Sequence, residues 1–414
     1  MDVLHERCAG VDVSKKDAKA CIRTPSTKRR GSFTNQTTTW GATTNAVLAL
    51  RDHLLAAQVT LVVIEATSDY WKPFYYLLAD ELNVILVNAR QVKNLPGRKT
   101  DVSDAAWLAQ LGAHGLVRAS FVPPQPVREL RDLTRARTQM TRERGQIVQR
   151  LEKLLEDTGI KLAAVAADIM GVSGRAMLEA LIAGERDPQA LAELAKRKLR
   201  NKIPELTEAL TGRFRAHHAF LTRLHLDHYD QLTDAIGQLD ARIEEAMAPF
   251  RPALDLLDTI PGINRAVAEV IIAETGGDMT RFATAKHLAS WAGVCPGHHE
   301  SAGRTKNTKV RPGNPYLKGA LGLAAFGAVR TKDTYLQARY KRLTARRGPL
   351  RALVAVEHSI ITAIWHMLTN HLPYHELGGT YFTQRDPERA TRRAINQLNQ
   401  LGYTVTLNPR EHAA

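Results

Sequence analysis

The first 114 residues switch repeatedly between the hydrophobic period of a strand and that of a helix. From Ala9 to Val13 the period is two, with Val11 and Val13 on one side and Asp12 on the other. Polar residues from Ser14 to Asp17 predict a turn, and Ala18 to Ile22 returns as the hairpin partner. Gly31 to Thr34 predicts a third strand, and Ala42 to Ala57 carries Val47, Leu50 and Leu54 at helical spacing. The near-continuous β-branched run Val59 to Ile64 has the pattern of a buried parallel strand and ends on Glu65. A helix over Tyr70 to Leu82 follows, then a strand over Asn83 to Val87 and a Pro/Gly/basic loop from Leu95 to Lys99. Thr100 or Asp101 is placed to cap the next helix, which contains Trp107 and Leu111.

An antiparallel hairpin followed by alternating helix and strand is the order of a ribonuclease H-like domain. Beyond it the pattern becomes helical. Leu133, Met140, Ile147, Leu151 and Leu154 recur at three- and four-residue steps over Pro126 to Leu155, interrupted by Arg137 and Arg144. A second long helix, Ala216 to Met247, carries Tyr229, Leu232, Ile236, Leu239 and Ile243 in heptad register. These two helices pair either with each other or with a second copy, and residues 162–212 between them read as short helices without a recognisable motif. Pro252 to Gly277 reads helix, Ile260-Pro261-Gly262-Ile263-Asn264, helix, an order that resembles a helix-hairpin-helix. In such an element the tight turn aims backbone N–H groups at a nucleic-acid phosphate, here at Gly262. An ordinary helical turn is the alternative, since Asn264 stands where a second glycine is usual. Apolar helices follow at Tyr316 to Ala328 and Leu350 to Asn370, joined by the cationic segment Tyr335 to Arg351. The tail holds an amphipathic helix near Ala390 to Leu401 and a short strand at Tyr403 to Leu407. The expected fold class is α/β plus all-α, divided into 1–120, 121–250, 251–372 and 373–414.

Composition narrows the partners. Hydrophobic residues make up 44% of the 414, enough for real cores. The formal charge is +15, and residues 301–352 alone hold 13 Lys and Arg against the single acid Asp333. Such a concentration favours a polyanion, with nucleic acid ahead of an anionic membrane surface. Three widely spaced cysteines, Cys8, Cys21 and Cys295, imply neither a zinc site nor a disulfide framework. Met1 to Arg7 lacks the apolar core of a signal peptide, and no uninterrupted apolar run reaches the roughly 20 residues of a membrane span. A cytoplasmic, nucleoid-associated protein without a membrane partner is the expectation.

Asp12 and Glu65 come together if their strands are neighbours, and Asp101 and Asp104 lie three apart at a helix start, on one face. Four carboxylates of this kind suit hard divalent ions, Mg2+ or Mn2+. Two such ions could stabilise the attacking and leaving oxygens of a phosphoryl transfer. Taken singly, Asp101 could cap its helix, Asp104 could be a surface acid and Glu65 could pair with an arginine. Ser301 lies in a second candidate site, the glycine- and cation-rich loop from Trp291 to Lys318. Arg304, Lys306, Lys309, Arg311 and Lys318 could hold phosphates, and Gly303 permits close backbone approach. A serine hydroxyl needs activation, either by His298, His299 or Glu300 nearby or by a metal held on the acids.

The acids Asp12, Glu65, Asp101 and Asp104, the segment Pro296-Gly297-x-x-x-Ser301-x-Gly303-Arg304 and the downstream Gly313-Asn314-x-x-Leu317 resemble the DEDD-type insertion-sequence transposases of the one-ten family, relatives of the Piv DNA invertases. The resemblance covers nearly the whole chain and is least specific after Pro373. It implies a RuvC-like N-terminal domain whose four acids bind divalent metal. It also implies a mainly helical C-terminal transposase domain whose serine, matching Ser301, becomes covalently joined to DNA during strand exchange. The implied partners are donor and target duplex DNA, a structured bridge RNA that chooses them, and further copies in a homodimer or homotetramer. A hydrolytic RuvC-like junction resolvase, with Ser301 structural, is the nearest competing class. A sugar-kinase or actin-like ATPase also begins Gly-x-Asp-hairpin, but the glycine-rich phosphate turns are missing and no GxxxxGK[ST] loop occurs. A catalytically silent nucleic-acid-binding protein needs only the basic segment.

Overall fold

In the computed structural model the described residues are 3–29, 31–89, 92, 104–297, 299–301, 303–307 and 309–407. Met1–Pro123 and Pro124–Ala414 form two units. The first is built on strands β1 (Cys8–Val13), β2 (Asp17–Pro25), β3 (Phe33–Gly41), β4 (Leu61–Glu65) and β5 (Val84–Val87). They form one sheet in the order β3-β2-β1-β4-β5, with β1, β2 and β3 antiparallel and β4 and β5 parallel to β1. The β1–β2 turn is held by the Ser14 N–H donating to the Asp17 carbonyl at 2.8 Å. β3 runs from Phe33 to Gly41 instead of stopping at Thr34. Its Thr-rich polar sequence suits an extended edge yet shows little apolar alternation.

Alternation assigns each sheet face its own helices. Ala9, Val11, Val13, Val62 and Ile64 pack against Val47, Leu50 and Leu54 of helix α1 (Thr44–Ala56) and against Phe74 and Leu78 of α2 (Trp71–Ala79). Cys8, Leu61 and Val63 face the other way, onto Leu108 and Leu111 of α3 (Asp104–Ala113). Burial under α3 pushes the Cys8 thiol up to about 12.

The second unit begins with α4 (Gln125–Thr158), which starts on proline and stops at Gly159 in the left-handed conformation. Residues 159–215 form a head containing α5 (Val172–Ala183) and α6 (Ile203–Leu210). Its core joins Leu162, Met177, Leu181, Leu206 and Phe214 to Ile147, Leu151 and Leu155 of α4. The chain then returns along α7 (Ala216–Ala246). Arg137 meets Asp240 at 2.9 Å, and Arg144 meets Thr233 at 3.4 Å, so α4 and α7 run antiparallel in one hairpin. Pairing within the chain is therefore what occupies the heptad seam. Arg137 does not break that stripe: it is buried against Glu269 at 2.6 Å.

The remaining helices share a third core: α8 (Arg251–Asp258), α9 (Arg265–Thr275), α10 (Ala285–Ala292), α11 (Pro315–Arg330), α12 (Tyr335–Arg347) and α13 (Pro349–Asn370). By length and composition α13 could cross a membrane, but here Val356, Ile360, Ile361 and Ile364 are buried in that core. The turn between α8 and α9 has the expected shape, with Gly262 at φ +89°. A Cβ there would lie 2.2 Å from the Ala328 nitrogen of α11, so packing accounts for the glycine. Asn264 caps α9, its side chain accepting from the Val267 N–H at 3.0 Å, which accounts for asparagine in the second glycine's place. Helix α14 (Pro387–Gln400) buries no residue. The strand expected at Tyr403 to Leu407 does not form; among the described residues that segment has no partner ladder.

Candidate active site

Two regions carry the candidate chemistry, one in each unit. In the first, the parallel register pairs Gly10 with Val63 and Val11 with Ile64, so one further step brings Asp12 level with Glu65. Period two puts Cys8, Gly10 and Asp12 on the α3 side of the sheet, together with Leu61, Val63 and Glu65. Gly10 governs how closely α3 can approach. A Cβ there would meet the Ala105 carbonyl oxygen at 2.1 Å and the Ala109 nitrogen at 2.4 Å. The other end of α3 lies over Cys8, since a Cβ on Gly112 would come 2.9 Å from the Cys8 Sγ. The helix thus descends antiparallel to β1 and delivers Asp104, its first residue, to the end of the sheet that holds Asp12 and Glu65.

Three of the four sequence-identified acids are therefore gathered at one edge by strand register and a glycine contact. The fourth, Asp101, lies outside the described residues. Lys19 stands directly across the ladder from Asp12, so a cationic neighbour is also at hand. Among the described residues no three His, Cys, Asp or Glu side chains close to metal-binding spacing. The donor chemistry, oxygen only and anionic, still fits a hard divalent cation and not a soft one.

In the second unit, Ser301 is the last residue of β6 (His299–Ser301), which pairs antiparallel with β7 (Arg304–Asn307). A hairpin therefore stands inside the expected loop. Ser301 pairs with Arg304, which puts the serine at the turn, where Gly303 has φ +73°. Arg304, Lys309 and Arg311 are exposed; the side chain of Lys306 and those of His299 and Glu300 lie outside the description, as does His298 altogether. Lys318, on α11, points its Nζ toward the Arg311 carbonyl at 3.5 Å.

The hairpin stands on a closed base. Gly293 and Gly313 both have positive φ, and a Cβ on Gly293 would fall 2.7 Å from the Gly313 Cα. Entry and exit of the loop thus touch backbone to backbone, which only glycine at both places permits. The next residue, Asn314, caps α11 by accepting from the Tyr316 and Leu317 N–H groups at 3.0 and 3.1 Å. Its Nδ2 donates to Glu274 Oε2 at 2.6 Å. Glu274 is fully buried and also takes both arms of Arg135, at 2.7 and 2.8 Å. Arg131 reaches the Glu274 carbonyl at 2.7 Å. Leu317 is buried below. The Gly313-Asn314-x-x-Leu317 run is accordingly a loop closure, a helix cap and a core anchor in succession.

The sequence does not mark Glu274, because nothing local distinguishes an acid whose partners lie 40 and 139 residues away. Replacing Glu274 by Ala strands the cationic fork of Arg135 and one Asn314 donor, and is expected to cost about 3–5 kcal/mol. Urea unfolding of the purified protein measures it; a loss below about 1 kcal/mol would mean that water replaces the carboxylate.

Two stretches of the chain match known families. A transposase family of the DEDD IS110 type matches residues 9–160, and the transposase IS116/IS110/IS902 family matches residues 254–341. The chain is 28% identical over 333 residues to the insertion element IS900 uncharacterized 42 kDa protein of Mycobacterium paratuberculosis, covering 72% of this chain and 80% of that protein. It is 24% identical over 378 residues to the pilin gene-inverting protein of Moraxella lacunata, covering 88% of this chain and 96% of that one. A 32% identical stretch of 152 residues is shared with the insertion element IS110 43.6 kDa protein of Streptomyces coelicolor, 36% of this chain and 35% of that one.

Proposed function

The chain belongs to the IS116/IS110/IS902 family of transposases, enzymes that act on DNA, and from that premise we propose that it exchanges DNA strands through a covalent phosphoserine intermediate. The observation that carries the reading is the shared edge of Asp12, Glu65 and Asp104 at the ends of adjacent parallel strands and a helix start. The sheet order β3-β2-β1-β4-β5 supports a RuvC-like, ribonuclease H-type domain for that edge.

Asp12, Glu65, Asp104 and Asp101 would hold Mg2+ or Mn2+, which when bound stabilises charge on the attacking and leaving oxygens. The Ser301 hydroxyl attacks a DNA phosphorus: the Oγ–P bond forms, the P–O3′ bond breaks, the hydroxyl proton passes to a base and the freed 3′ oxygen takes one up. A second 3′ hydroxyl reverses these steps on the phosphoserine and joins a new strand. One phosphodiester bond replaces another at each stage, so no nucleotide triphosphate is consumed. Arg304, Lys306, Lys309, Arg311 and Lys318 neutralise the phosphates flanking the attacked one. The Gly262 turn contributes to the same duplex only through backbone outside its contact with α11. A bridge RNA selecting donor and target follows from the family resemblance and suits the 13 cations of residues 301–352. A homodimer or homotetramer is the assembly proposed.

Incubating the protein with Mg2+ and DNA carrying the element's ends, followed by denaturing electrophoresis, should reveal DNA that migrates with the polypeptide. Cleaved DNA free of protein at every time point would instead identify water as the nucleophile and the chain as a hydrolytic resolvase.

A further inference from the structure

The head between the two long helices carries a charged surface that catalysis does not use. Lys196, Arg197, Lys198, Arg200 and Lys202 fall within seven residues, and all five are exposed. The segment is fixed in place. The Lys196 N–H donates to Ser173 Oγ at 2.9 Å, and Arg197 takes a left-handed φ of +55° as the chain enters a short turn of helix over Arg197–Lys202. An open cleft of about 560 Å³ results, lined by Gly171, Val172, Ser173, Lys196, Arg197 and Asp168 among others.

Some nearby arginines are matched by acids: Arg175 pairs with Asp230 of α7 at 2.6 Å and with Glu179 at 3.0 Å, Arg223 of α7 also meets Glu179, and within the segment Arg200 reaches Glu193 at 3.2 Å. Lys196, Arg197 and Lys198 have no ion pair among the described residues. Three unmatched cations at consecutive positions repel one another, a cost that nearby phosphates remove. Met177, Leu181 and Leu206 of the head pack into one core with Ile147, Leu151 and Leu155 of α4, which anchors the segment that carries the three charges.

The geometry points to a phosphodiester-binding surface at Lys196, Arg197 and Lys198, which grips the backbone of a nucleic acid away from the reacting phosphate. It adds a contact to the proposed recombination but does not depend on Ser301 or the acids, because binding is measured without cleavage. Phosphates of duplex DNA and of a folded RNA offer the same chemistry, and the test separates them.

Full-length protein carrying K196E, R197E and K198E is titrated with a 30-base-pair duplex and, separately, with an RNA hairpin across a series of salt concentrations. A control with R389E, R392E and R393E on exposed α14 changes the net charge equally. The head variant should lose at least about tenfold in affinity relative to the control, with the slope of log K against log salt shallower by about 2.7 for DNA. Loss confined to the duplex assigns the surface to DNA, loss confined to the hairpin assigns it to RNA, and loss of both assigns it to the shared backbone. Equal losses in head variant and control overturn the proposal, as does unchanged binding of both the duplex and the hairpin by the head variant. Should the reversed charges disturb folding, K196Q, R197Q and K198Q remove the charges without reversing them and must shift the slope in the same direction.

Discussion

Ser301→Ala should lower covalent protein–DNA adduct formation by at least about 10³-fold, the scale seen when a nucleophile is removed from a reaction that cannot proceed without it. Serine to alanine deletes one oxygen at a hairpin end where Ser301 is backbone-paired with Arg304, and alanine retains that pairing. The closed base below, with Gly293 against Gly313 and Asn314 capping α11, does not involve the serine. DNA affinity should therefore remain within about twofold, since phosphate binding rests on the neighbouring cations. The assay is gel-resolved adduct, with binding measured in parallel on the same preparation. Adducts at the wild-type rate would assign the nucleophile to another residue, and loss of binding together with adducts would make the serine structural.

Asp12→Asn should abolish divalent-metal-dependent cleavage, by a comparable factor, while leaving the sheet intact. The amide keeps the shape of the carboxylate and removes its charge, which is what a hard cation requires. Asp12 is half-buried next to a helix that the Gly10 contact holds in place, so loss of metal-dependent activity without loss of fold is the signature expected. The circular dichroism spectrum and melting temperature check the fold, and a Mg2+ and Mn2+ titration of cleavage checks the function. Wild-type metal dependence in this variant would dismiss the carboxylate edge as a metal holder. The opposing effect of Lys19 across the ladder gives a further handle, because the variant leaves that cation without an acid opposite.

How far these sites could be read in advance differed with the range of the interactions involved. Asp12 and Glu65 were legible because adjacent strands and period two are local signals. That Asp104 joins them depended on Gly10 admitting α3, and a single glycine in a strand does not announce what approaches it. The long helices are legible from their apolar spacing, but Arg137 interrupts that spacing and is explained only by Glu269, its buried partner 132 residues on. Residues 162–212 carried no readable motif, since their short helices only acquire a core when Ile147, Leu151 and Leu155 close over them. The strand predicted at Tyr403 to Leu407 does not form for the converse reason: β-branched and aromatic residues favour extension, but among the described residues no strand pairs with it. Threonines in β3 misled in the other direction, hiding nine paired residues behind polar chemistry.

The antiparallel pairing of α4 with α7 has an evolutionary corollary. Each rung matches a residue going out with one coming back, as Arg137 does with Asp240. Inserting seven residues into both arms at the same rung would restore every match and lengthen the stalk by about 10 Å. Inserting them into one arm would throw the remainder out of step. Related chains should accordingly vary in stalk length by paired heptads, a ruler that resets reach while sparing the chemistry at either end.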